Sequence, residues 1–110
     1  MYVSQNFKSF DKSFIVKLQV FELINRVELQ DYELCDKQLN QLYKLIQDVK
    51  EKESIKIDLA VLDLINKFLN ESENRWRPLK TNIQAFVKKF QNPKDGAGLI
   101  NYAQWIETKI

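Results

Sequence analysis

The 110-residue chain contains no histidine, one cysteine, two glycines and two prolines. Each shortage excludes something. Without histidine, the side chain that titrates nearest neutrality, the commonest neutral metal ligand and the usual partner of a catalytic serine or cysteine are all missing. Carboxylates remain available for acid–base work, but they are scattered in the manner of a solvated surface. Asp58 and Asp63 stand apart, Asp63 has Asn66 and Lys67 at the next turn, and Glu71 and Glu73 diverge on a helix. The lone Cys35 permits no intramolecular disulfide. Its setting among Leu34, Leu39 and Leu42 suits a buried structural thiol, and apolar surroundings raise a thiol pKa rather than activate it. The sequence therefore predicts a chain that is not an enzyme, with no catalytic, metal or cofactor site of its own.

Glycine and proline are scarce in a way that bears on fold. Three of the four lie between Pro93 and Gly98, whereas a sheet protein needs turn residues every dozen positions or so. The Asp95-Gly96-Ala97-Gly98 turn is an incomplete phosphate loop, lacking an upstream strand and a Lys-Ser/Thr ending, and reads as a plain connection between helices. No apolar run of membrane-spanning length occurs and no signal peptide is evident at the start, so the expectation is a soluble cytoplasmic protein with no membrane partner.

What is present is a substantial core. Hydrophobic residues make up 45% of the chain and charged ones 29%, with seven Phe, four Tyr and two Trp. A chain of this size buries about two-thirds of its extended surface on folding. One helical domain over 1–110 is expected, with 1–8 an irregular N-terminal arm.

The apolar residues recur at three- and four-residue spacing in five places. Ser9 or Asp11 could cap a first helix whose stripe is Phe10, Phe14, Leu18, Phe21 and Ile24, widened by Ile15, Val20 and Leu23. A second helix over 31–53, capped by Asp31, buries Leu39, Leu42, Ile46 and Val49, and its opposite face carries Asp36, Lys37, Asn40, Lys44, Gln47, Asp48 and Lys50. A third over 58–73, capped by Asp58, buries Leu62, Ile65 and Leu69 with Val61 and Phe68. Pro78 opens a fourth, since a helix's first turn tolerates its missing amide; the stripe is Leu79, Ile83, Phe86, Val87 and Phe90, and Pro93 stops it. Leu99, Tyr102, Ala103, Ile106 and Ile110 define a short fifth. Period-two alternation competes with helix at 14–20 and 55–61. The fold class that follows is all-α, a four- to five-helix bundle or compact helical array.

Charge is distributed unevenly. Residues 1–72 carry ten basic and twelve acidic side chains, and residues 73–110 carry seven and three. Arg75, Arg77, Lys80, Lys88, Lys89 and Lys94 form a run containing no acidic residue, with Trp76 inside it. Such a segment suits phosphates and unpaired bases, or an acidic protein surface, or simply a solvated helix face with Trp76 packed across a helix junction. Trp105, at one edge of the last helix, is a candidate anchor for a partner. The expected function is a small helical protein–protein interaction module (an adaptor, inhibitor, immunity factor or small subunit) whose partner is another protein or a second copy of itself. Nucleic-acid binding through 75–94 is the alternative. The candidate binding residues are Arg75, Trp76, Arg77, Lys80, Lys88, Lys89 and Trp105.

Overall fold

Among residues 12–50, 52–90 and 101–109, which the computed structural model describes, every segment with an apolar period of three to four residues is helical. The chain is all-α. Five α-helices occur among those residues: α1 (Lys12–Glu28), α2 (Tyr32–Gln47), α3 (Lys56–Asn70), α4 (Lys80–Lys89) and α5 (Tyr102–Glu107), with 3₁₀ turns at Lys52–Ile55 and Arg77–Leu79. Both stretches where alternation competes, 14–20 and 55–61, are helical. The arm at 1–8, the caps Ser9 and Asp11, and the turn at 92–98 lie outside the described residues. The helices group into two units, Met1–Ile55 and Lys56–Ile110.

The first unit is a helical hairpin. Val16, Val20, Leu23, Ile24 and Val27 of α1 are buried, as are Cys35, Leu39, Leu42 and Ile46 of α2. Here the expected stripe needs correction: Phe14 and Phe21 remain 39% and 37% exposed, and Leu18 is half-buried. At about 100° per residue, the valine face and the Phe14–Leu18–Phe21 face lie on opposite sides of α1, and both satisfy the same period. Short β-branched side chains let the two helices approach more closely than phenylalanines would, so the valine face meets α2. Between the helices Gln38, only 5% exposed, accepts from Arg26 Nη1 (2.8 Å) and donates to the Gln19 carbonyl (3.3 Å).

The α1–α2 turn needs no glycine. Gln30 takes a left-handed φ of 61°, its N–H bonds to the Val27 carbonyl and that of Asp31 to the Arg26 carbonyl. This is the paired 5→2 and 6→1 arrangement of a Schellman terminus with glutamine in the usual glycine position. Asp31 stands at the N-cap of α2 but makes no side-chain cap bond. That helix stops at Gln47, short of the expected 53, because the Lys52 ammonium takes the Ile46 and Val49 carbonyls and turns the chain; Val49 is nonetheless buried.

In the second unit α3 continues directly from the 3₁₀ turn, so it begins at Lys56 and Asp58 lies inside its first turn. The expected cap at Asp58 is therefore wrong. Ile57, Val61, Leu62, Leu64, Ile65 and Phe68 are buried. Asn74, at φ 50°, closes the helix by donating from Nδ2 to the Phe68 carbonyl at 3.3 Å; asparagine is among the few residues that accept the left-handed region readily. Pro78 sits at the start of the 3₁₀ turn that leads into α4, and Leu79, Ile83, Phe86 and Phe90 are buried as expected. In α5 the Asn101 side chain caps the Gln104 N–H at 3.0 Å, and Tyr102 and Ile106 face inward.

Two measurements check this register. Leu23→Ala, at a fully buried position, should cost about 2–5 kcal/mol in urea unfolding, whereas Phe21→Ala two residues away should cost less than about 1.5 kcal/mol. Gln30→Gly should raise stability by up to about 1 kcal/mol, because glycine bears no Cβ penalty at positive φ.

Candidate functional site

Among the described residues, the most deeply buried polar contact is a carboxyl–phenol pair. Asp58 is 0% exposed and Tyr102 1% exposed, and the Tyr102 hydroxyl donates to Asp58 Oδ1 at 2.6 Å. The first turn of a helix favours a carboxylate through the helix dipole and the free amides there, which is where α3 holds Asp58. Burial, then the hydrogen bond to Asp58, pushes the Tyr102 pKa far above its ordinary value. A phenol so placed keeps its proton and offers no base or nucleophile. The pair is a structural joint between α3 and α5.

Trp76 is placed by the turn that Asn74 closes. Its indole stacks on Phe68 of α3 (centroids 4.0 Å apart, rings 12° from parallel) and meets Trp105 of α5 edge-to-face at 5.8 Å. Lys109 lies over the Trp105 ring at 5.6 Å. Both indoles are half-buried. One face of Trp76 is thus committed to packing across the α3–α4 junction, and Trp105 meets it from α5.

The described basic residues of 75–89 point in different directions. Arg75 is held by Glu73 at 2.9 Å, and its N–H bonds to a Glu71 carboxylate oxygen at 3.0 Å. Arg77, Lys80 and Lys88 are exposed. On α4, Lys80 and Lys88 fall within about 80° of each other and about 12 Å apart along the axis, while Lys89 is about 180° from Lys80. Lys89 lies near Phe90 and lines a shallow α3–α4 groove with Asp63 and Lys67, themselves paired at 2.8 Å. Lys94 is outside the described residues.

A third feature escaped the sequence reading. Phe14, Leu18, Phe21 and Asn25 fall within about 60° on the outer side of α1, and Leu29 continues the line. Phe14 and Phe21 are more than a third exposed, and Leu29 78%. Ile15, Leu18, Gln19 and Glu22 line a shallow cleft along the same helix. The signal was present as the apolar stripe itself, assigned to the wrong side.

No cluster of three or more cysteine or acidic residues able to hold a metal exists among the described residues. Cys35 is fully buried; burial, then the nearby Asp31 charge, raises its pKa, partly offset by Arg26. No described helix is long and apolar enough to cross a membrane. Comparison with known proteins returns no match to a protein family, a curated protein or a solved structure.

Removing the Tyr102 hydroxyl leaves the buried Asp58 without that donor, so Tyr102→Phe should cost about 1–3 kcal/mol at neutral pH. The raised folded-state pKa means the joint is intact below the ordinary tyrosine value of 10.0. Above it the unfolded chain releases a proton that the folded chain keeps, and stability falls by about 1.4 kcal/mol per pH unit. Thermal unfolding at pH 8 to 11 should show a steeper alkaline loss in the wild type than in Tyr102→Phe.

Proposed function

We propose that this chain is a small helical protein–protein interaction module that presents the outer face of α1 to its partner. The observation that carries the reading is the line Phe14, Leu18, Phe21 and Leu29, exposed to different degrees on a helix whose opposite face already packs on α2. Large aromatic side chains supply much contact area at low entropic cost and dominate the energetics of interfaces. Contiguous apolar surface of this kind marks interaction sites more often than isolated exposed residues do. The Trp105 edge is a secondary contact in the same proposal. A non-catalytic role and a cytoplasmic setting belong to it as well, and both rest on composition: no histidine and a single cysteine.

Arg77, Lys80 and Lys88 are what favours nucleic acid as a second reading. Three exposed cations make a modest electrostatic footprint, and binding through them would weaken steeply with salt.

A photo-cross-linking phenylalanine analogue at position 21, with a control at exposed Lys37 on α2, separates these readings in native extract. A discrete protein adduct from position 21 alone, unchanged by nuclease, is the expected result. Equal labelling from both positions would refute the α1 surface. Capture that disappears with nuclease and with Lys80→Glu/Lys88→Glu would replace it with the nucleic-acid reading.

A further inference from the structure

The outer side of α4 carries a row of polar side chains. Ile83, Phe86 and Phe90 turn the other side inward, and Lys80, Gln84 and Lys88 recur at every fourth residue. At about 100° per residue these three fall within about 80° of one another, and each step along the axis is about 6 Å. Arg77 extends the row. The Lys80 N–H bonds to the Arg77 carbonyl in the 3₁₀ turn before α4, and residues three apart in such a turn lie above one another at about 6 Å. Arg77, Lys80, Gln84 and Lys88 are all exposed. Among the described residues none of the three cations takes part in an ion pair, and no acidic residue occurs between Glu73 and Asp95. The row presents hydrogen-bond donors at a nearly constant interval, with positive charge at all but Gln84.

Protein interfaces centre on apolar and aromatic side chains and are poor in lysine, and this row contains no apolar residue. Guanidinium, ammonium and amide groups are donors that hold phosphate oxygens, and phosphates recur along a nucleic-acid strand at a similar interval. Single strands are bound through aromatic rings on which bases stack. Trp76, the aromatic beside Arg77, is stacked on Phe68 and meets Trp105 edge-on, and the row itself has no ring. We propose that the Arg77–Lys80–Gln84–Lys88 row binds the phosphate backbone of a nucleic-acid duplex, weakly and without regard to base sequence. The proposal rests on the second reading above, nucleic acid through these cations, and names the form of the ligand; it is independent of the α1 surface. Three neutralised phosphates give a slope of about −2.7 in log K against log salt, so affinity falls about 40-fold between about 50 and 200 mM salt.

Fluorescence anisotropy of the full chain against labelled duplexes of DNA and of RNA tests this, with the separated single strands and poly-glutamate as further probes. A duplex should bind with that salt slope and with equal affinity for unrelated sequences. Lys88→Gln should reduce the slope by about one, whereas Lys89→Gln, on another side of α4, should leave it unchanged. Lys80→Glu/Lys88→Glu should abolish binding with an unchanged helical circular dichroism spectrum. Equal effects of Lys88→Gln and Lys89→Gln on the slope would overturn the row. Tighter binding of the single strands would overturn the duplex and keep the nucleic-acid reading. Binding of poly-glutamate in place of any nucleic acid would assign the row to an acidic protein. A chain that binds none of these probes at low salt would remove the proposal and the second reading together.

Discussion

The second unit depends on one buried polar contact. Asp58 has no solvent exposure, and a carboxyl group taken out of water is costly unless it is hydrogen-bonded. Two features of the chain meet that cost together. The first turn of α3 provides a favourable dipole, and the Tyr102 hydroxyl donates to the carboxylate from 44 positions further along. The six-residue α5 is too short to persist on propensity alone. It stays helical because Tyr102 and Ile106 are buried and because the phenol donates to Asp58 of α3. Through α5 the same joint holds Trp105 against Trp76, and the three-ring cluster with Phe68 follows from it.

In the first unit the governing fact is different. Helix α1 is apolar on two opposite sides, and one neighbouring helix can cover only one of them. The valine-rich side packs on α2, with the Arg26–Gln38 contact meeting the buried Gln38 amide between them. The opposite side carries Phe14 and Phe21, each more than a third exposed. A surplus of apolar surface on a helix that is already packed lowers stability in isolation and makes sense as a contact surface. That argument, rather than any assembled set of reactive groups, directs the functional reading toward recognition.

Much of the fold was legible in the residues. The period-3.6 stripes of 39–49, 61–69 and 79–90 placed α2, α3 and α4, and Pro78 marked a boundary that the structure keeps. The errors share a cause. Asp58 looks like a cap because short polar residues before an apolar run usually are one; that its acceptor oxygens serve a tyrosine 44 residues away is invisible to local pattern. The Phe14–Leu18–Phe21 stripe looked like core because hydrophobicity reports a face, not a neighbour. Whether the basic residues of 75–94 gather on one surface is likewise not written in their adjacency: Glu73 holds Arg75, and the turn of α4 sends Lys88 and Lys89 different ways.

By itself, then, the sequence determined the helical class, most helix positions and the identity of the main core stripes. These rest on local backbone preference and on periodicity, which each segment carries within itself. Only the tertiary structure decided which side of α1 meets α2, where Asp58 finds its donor, and how far the cations of 75–89 are dispersed. Those outcomes depend on pairings between residues distant in the chain, and a partner's position is information that no single segment contains.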